Sequence, residues 1–308
     1  MVPESYSDGR EVRLGVTLAV LAFVMWGLLP VYYRLADAAS IYMVVANRVL
    51  WAAVFLGCWL VLSGRLQEVL QALRATRNQF LLFGSALLIG SNWLVYVWAI
   101  EHNRVLDVSL GYFANPLFNI LLGRFFLGER LTRIQWIAAG LTVFAFVLET
   151  AGAGRLPWVS VYLGLSFSGY ALVRKKVPVR AAPAILIELL MLSPIALGFI
   201  GTRLWLGGGV ELSGQSMLLG AILAGTGLAT MTTLLCFGAA ARRIPLISLG
   251  MLQNIEPSIH FLVGLTVFGE PLLVSREISF VLIWISLAIF SYGSWSARGR
   301  PTNPGTST

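Results

Sequence analysis

Apolar stretches long enough to cross a bilayer recur along this chain, and that recurrence leaves it few folds to adopt. They fall at 14–33, 41–62, 78–100, 107–127, 134–150, 157–173, 183–204, 215–238, 246–268 and 277–294. A membrane-crossing helix needs about 20 apolar residues, whereas a barrel strand needs only about 10. Charged residues make up 12% of the chain and apolar ones 57%. A soluble domain carries about 25% charged residues, so this composition cannot clothe a soluble surface. The expectation is an all-α membrane protein of ten transmembrane helices with short connections and polar tails at 1–10 and 297–308. The first span follows Arg10 and Arg13. It lacks a small-x-small cleavage site and is too long for a signal peptide, so it reads as a retained helix.

A net charge of +8 would suit a nucleic-acid partner if the cations were clustered. They are sorted by loop instead. Counted with the helix ends that flank them, the even-numbered loops and the two tails hold sixteen of the 22 Lys and Arg residues, and the odd-numbered loops hold five, with Arg48 alone well inside a span. Cytoplasmic loops collect Lys and Arg, so both termini are expected in the cytoplasm of a bacterial-type inner (plasma) membrane. The two cysteines, Cys58 and Cys236, form no CxxC and predict neither a disulfide nor a metal site.

Two segments echo each other: GYFANPLFNILLGRFFLGER, from Gly111, and GMLQNIEPSIHFLVGLTVFGEP, from Gly250. A shift of 139 lays NRVLDVSLG on RRIPLISLG. A shift of 141 lays Pro116 on Pro257, Gly123 on Gly264 and Gly128-Glu129 on Gly269-Glu270. The chain therefore divides into halves at 1–153 and 154–308, each of five helices. Five is odd, so the second half enters the membrane inverted. Inverted repeats are typical of secondary transporters, whose sites lie between the halves on Pro- or Gly-interrupted helices.

The stretches SNWLVYVWAI, VSLGYFANPLFNILLGRFFLGERL, LPWVSVYLGLSFSGYALVRKKV and RRIPLISLGMLQNIEPSIHFLVGLTVFGE resemble the RarD group of the drug/metabolite transporter superfamily, built of EamA-type repeats. The resemblance covers nearly the whole chain. It implies two EamA repeats, an inner-membrane location and alternating access by the halves, and it supplies no substrate.

Polar residues inside the spans are the candidate pathway. A charge at the bilayer centre costs about 2.5–3.5 kcal/mol on insertion scales, so each needs a partner, water or a function. Arg48 and Glu188 stand at equivalent depths of helices 2 and 7, with a direct contact between them open. Glu256 lies near the centre of helix 9, with His260 one turn on. Asn92, Trp93 and Tyr96 form a polar-aromatic group in helix 3, and Tyr170 lies in helix 6. The last two triplets are Tyr112, Asn115, Asn119 and, at a shift of 141, Gln253, Glu256, His260. Both have i, i+3, i+7 spacing, which on an unbroken helix gives one polar face. Gly128-Glu129 and Gly269-Glu270 are expected to close helices at the membrane surface.

Enzyme signatures are missing from the sequence. There is no GxxxxGK(S/T), HExxH or Ser-His-Asp set, and GTGLAT at 225–230 lacks the third glycine of a dinucleotide loop. No cofactor is expected. The expected partners are a small-molecule substrate, the lipid bilayer and, as coupling ion, protons. The rival readings are a membrane-embedded enzyme, which would need clustered aspartates, and a channel, which would need a ring of pore charges.

Overall fold

The computed structural model describes residues 9–74, 76–127, 133–206, 217–241, 243–244, 249 and 252–298. Twelve helices lie among them: α1 Gly9–Arg34, α2 Ile41–Leu62, α3 Leu66–Arg74, α4 Thr76–Glu101, α5 Val105–Phe113, α6 Asn115–Leu127, α7 Arg133–Ala153, α8 Trp158–Lys176, α9 Ala181–Trp205, α10 Met217–Ala241, α11 Ile255–Thr266 and α12 Val274–Arg298. Five of them, α1, α2, α4, α9 and α10, are apolar over a membrane-crossing length, and α5 with α6 make a sixth such span, bent by 48°. With α7, α8, α11 and α12 they follow the ten expected spans in order. The surplus helix, α3, is a short amphipathic segment with Val69 and Ala72 buried and Leu66 and Leu70 exposed.

Proline explains both broken helices. The expected span 107–127 ends α5 at Phe113 and starts α6 at Asn115, with Pro116 next. In the second half α11 starts at Ile255, with Pro257 in its first turn. Proline lacks the N–H that an interior position must donate, but a first turn leaves that donor unused. Each proline therefore begins a helix rather than kinking one.

Helices of the two halves interleave. α2 packs on α9 and α10, α1 on α10 and α11, α4 on α8, and α5 on both α8 and α11, while α7 and α12 lie side by side. Without a hydrophobic drive inside lipid, such contacts depend on close backbone approach. At Gly227 on α10 an added Cβ would meet Trp51 Cβ at 2.4 Å, and at Gly111 on α5 it would meet Ser160 O at 2.7 Å. Of the small residues on α10, Gly225 and Gly227 meet neighbours, whereas Gly220 and Ala221 are exposed.

Candidate substrate pathway

Arg48 is buried, with 3% of its surface exposed, and it does not reach out to headgroups. Its Nε donates to Thr230 Oγ1 on α10 at 2.9 Å and its Nη1 to Tyr33 Oη on α1 at 2.8 Å. The guanidinium carbon lies 4.3 Å from the centroid of Trp93. Nη2 has no hydrogen bond among the described residues. Arg48 is thus oriented by three helices while one donor edge stays uncommitted.

An aromatic wall runs on from Tyr33. Ring centroids are 6.1 Å apart for Tyr33–Tyr96, 6.1 Å for Tyr96–Tyr112 and 5.9 Å for Tyr112–His260. His260 Nε2 lies 3.1 Å from Tyr96 Oη and 3.3 Å from Trp26 O. A proton on Nε2 satisfies that carbonyl, which leaves Nδ1 as a lone-pair acceptor. Nδ1 is buried without a partner. Glu256, one turn before His260, is half-buried, and its carboxylate forms no ion pair among the described residues, although Arg48, Tyr96 and Tyr112 are within electrostatic reach.

Three further expected members have these surroundings. Asn92 is fully engaged: Nδ2 donates to Leu163 O at 3.1 Å and Ser166 Oγ at 2.9 Å, and Oδ1 accepts from Tyr112 Oη at 3.3 Å. It clamps α4 to α8. Glu188 does not meet Arg48. Ser85 Oγ donates to it at 2.6 Å, Tyr170 Oη donates at 3.2 Å, and Arg174 lies 3.8 Å away. Gln253 sits in the turn before α11 rather than on the helix.

The i, i+3, i+7 face does not form as expected. The break at Ala114 separates Tyr112 from Asn115, and the bend leaves Asn119 exposed on α6. Asn115 itself is 1% exposed, and neither its Oδ1 nor its Nδ2 finds a partner. In the second half the break likewise precedes Glu256, so the face keeps only Glu256 and His260.

Sequence reasoning passed over a second buried cluster at the end of the bundle that carries the 102–104 turn. Arg276, on α12, donates from Nη2 to Asp107 Oδ1 at 2.7 Å and from Nε to Glu149 Oε1 at 2.8 Å. Arg104 Nε donates to Asp107 Oδ2 at 2.7 Å. Glu270 was expected at the membrane surface, yet only 7% of it is exposed. Its carboxylate accepts from the backbone N–H groups of Val105 and Leu106, capping the N-terminus of α5. Burial, reinforced by Asp107, pushes the Glu270 carboxyl up to about 7 against the pull of those donors and of Arg276. Its sequence partner Glu129 lies outside the described residues. The available signal was the pairing of Asp107 with Arg104 at i, i+3 beside a loop ending in Arg276.

The EamA-like transporter family model matches residues 13–150. An uncharacterized transporter of Pseudomonas aeruginosa is 37% identical over 96% of this chain and 99% of its own length. Protein RarD of Escherichia coli K12 is 37% identical over 92% and 95%. A chloramphenicol-sensitive protein RarD of Pseudomonas aeruginosa is 30% identical over 91% and 94%. One crystal structure aligns over 92% of this chain and 98% of that one, with a TM-score of 0.56 and 15% identity, a likeness of fold alone.

Proposed function

The chain belongs to the RarD group of EamA-type transporters in the drug/metabolite transporter superfamily, and from that premise we propose that it is a secondary carrier of a small organic metabolite or drug. In this reading the halves 1–153 and 154–308 rock about the shared interior. Both termini are cytoplasmic, which makes the arginine-poor end periplasmic.

The observation that carries the reading is that, of the buried polar atoms without partners, which also include Ser40 Oγ, Glu149 Oε2 and Arg174 Nη1, three belong to expected pathway residues: Asn115 Oδ1 and Nδ2 and His260 Nδ1. A buried unmet polar atom costs about 1–3 kcal/mol, a cost recovered when a ligand or water meets it. The free edge of Arg48 suits an anionic group or strong acceptor on the cargo. Trp93, Tyr96 and Tyr112 suit a flat apolar body. Among the described residues Glu256 has no counter-ion in contact, so it is the group we assign to proton coupling.

A flux assay in proteoliposomes tests the reading, using a cargo first selected by thermal-shift screening. A carrier saturates and shows counterflow when cargo is loaded on the far side. Flux that rises linearly with concentration and ignores trans cargo would sink the carrier in favour of a channel.

A further inference from the structure

We propose that Arg104, Asp107, Glu149, Glu270 and Arg276 form a one-sided latch that closes the periplasmic gate and sets the empty carrier facing the cytoplasm. The proposal rests on the carrier reading above and on its topology.

The cluster joins the two halves. Asp107 and Glu149 belong to α5 and α7 of the first half, and Arg276 on α12 of the second half bonds both. Glu270 crosses the other way, to the amides of Val105 and Leu106. Every member is at most 9% exposed. Around it, Ser109 Oγ donates to Pro257 O at 2.7 Å and Arg34 Nη1 donates to Val267 O at 2.7 Å. For this end to open, α5 must part from α11 and α12, and all of these bonds must be exchanged for water. At the other end lie two clefts, of about 460 Å³ and about 50 Å³. One cleft is lined by Glu68, Asn78, Pro178 and Arg180, and another by Trp59, Ala182 and Leu235.

The inverted repeat lacks the means to build the same latch at the cytoplasmic end. At a shift of 139, Leu106 is matched by Pro245, which has no N–H, and Asp107 by Leu246. At a shift of 141, Arg276 is matched by Gln135 and Glu149 by Phe290. The acceptor Glu129 is kept and, at a shift of 139, Arg104 is matched by Arg243, but the partners that Asp107, Glu149 and Arg276 supply are not. A duplicated fold would otherwise give its two gates similar strength. Among the described residues the ion pairs that join the halves at the cytoplasmic end, Arg243–Glu11 and Arg180–Glu68, are partly exposed, whereas those of the latch are buried, and breaking a buried pair is strongly unfavourable. An empty carrier that waits open to the cytoplasm is suited to export.

Cysteine reporters in the full chain, with Cys58 and Cys236 replaced by serine and the protein in lipid nanodiscs, read the gates without any transport step. Val263→Cys lies beneath the latch, packed with Val105 and Val108, and Leu235→Cys lines the opposite cleft. Without cargo, a membrane-impermeant maleimide should label Leu235→Cys and spare Val263→Cys. Arg276→Gln should raise labelling of Val263→Cys by about tenfold or more and lower that of Leu235→Cys, the sign of a shifted population. If that variant fails to fold, Asp107→Asn/Glu149→Gln/Arg276→Gln, which leaves no unpaired charge at those three positions, should do the same. A second arm needs no charge change. At Gly264 an added Cβ would lie 2.9 Å from Leu106 Cδ2, so oxidised Leu106→Cys/Gly264→Cys should stop flux and reduction should restore it. Unchanged labelling in a folded latch variant, or full flux through the oxidised pair, overturns the latch. Absence of saturable flux in the unmutated protein would instead strike the carrier reading and leave the labelling result standing.

Discussion

Arg48 and Glu188 stand 140 residues apart, carry opposite charges, and are held by matching arrangements in residues 1–153 and 154–308. Each takes a tyrosine from its own half, Tyr33 for Arg48 and Tyr170 for Glu188. Each takes a hydroxyl from the other half, Thr230 for Arg48 and Ser85 for Glu188. The pattern of contacts is the same while the charge is reversed. The difference lies in what remains: Glu188 has Arg174 3.8 Å away, whereas Arg48 keeps an edge unbonded among the described residues.

That difference predicts unequal mutants. Arg48→Lys keeps the charge but cannot fork to Thr230 and Tyr33 together. It should lose about tenfold in flux at normal abundance, and Arg48→Gln should lose more. Initial rates in proteoliposomes normalised to inserted protein check this. Full activity in Arg48→Lys would show that the fork is dispensable.

Asn115 and Asn119 should separate cleanly. Asn115→Leu removes buried polar atoms without partners, so it should not cost stability, yet flux should collapse if those atoms meet the cargo. Asn119→Leu, exposed on α6, should transport within about twofold of the parent. Thermal midpoints and initial rates of the two variants decide, and equal flux in both would remove Asn115 from the pathway.

These two asparagines also mark what was legible in the sequence. The all-α fold and the order of the spans follow from hydropathy and spacing alone. The common face did not survive, because i, i+3, i+7 spacing presumes one helix and proline starts a new one after Tyr112. The latch was hidden for another reason. Its members are charged residues at span ends, where charges ordinarily meet water, and only the tertiary fold shows that Glu270 turns inward. Tyr33 and Thr230 were unreadable as partners of Arg48 because they come from two other helices.

Gly111 should resist any side chain. A Cβ there would meet the Ser160 backbone at 2.7–3.2 Å, and neither α5 nor α8 can yield without disturbing Asp107 O, which accepts from Ser160 Oγ at 2.7 Å. Gly111→Ala should cost about 1–3 kcal/mol, read as a lower thermal midpoint. Gly84→Ala meets nothing within 4 Å and should be neutral or slightly stabilising through helix propensity.

Stability should fall as pH rises toward neutrality. With its carboxyl raised from 4.5 to about 7, folded Glu270 holds a proton that the unfolded chain has released across that window. Its contribution is therefore full below pH 4.5 and lost as pH rises through about 7. The neighbouring charges fit this sign: two guanidiniums, Arg104 and Arg276, face three carboxyls, Asp107, Glu149 and Glu270, so one retained proton makes the group neutral. Thermal midpoints measured from pH 5 to 8 should decline in the parent and stay flatter in Glu270→Gln. A parent curve that rises across this range contradicts the assignment.

Starting a helix at a proline has an electrostatic effect that no side chain supplies. A helix N-terminus carries about half a positive charge from its unbonded amides. In this chain two such ends, at Asn115 and Ile255, lie inside apolar spans instead of in water, and Glu256 occupies the first turn of the second. The interior is thus polarised by backbone that neither titrates nor changes rotamer. Neutralising Glu256 would leave that field intact, and an anion could enter a region that already favours it.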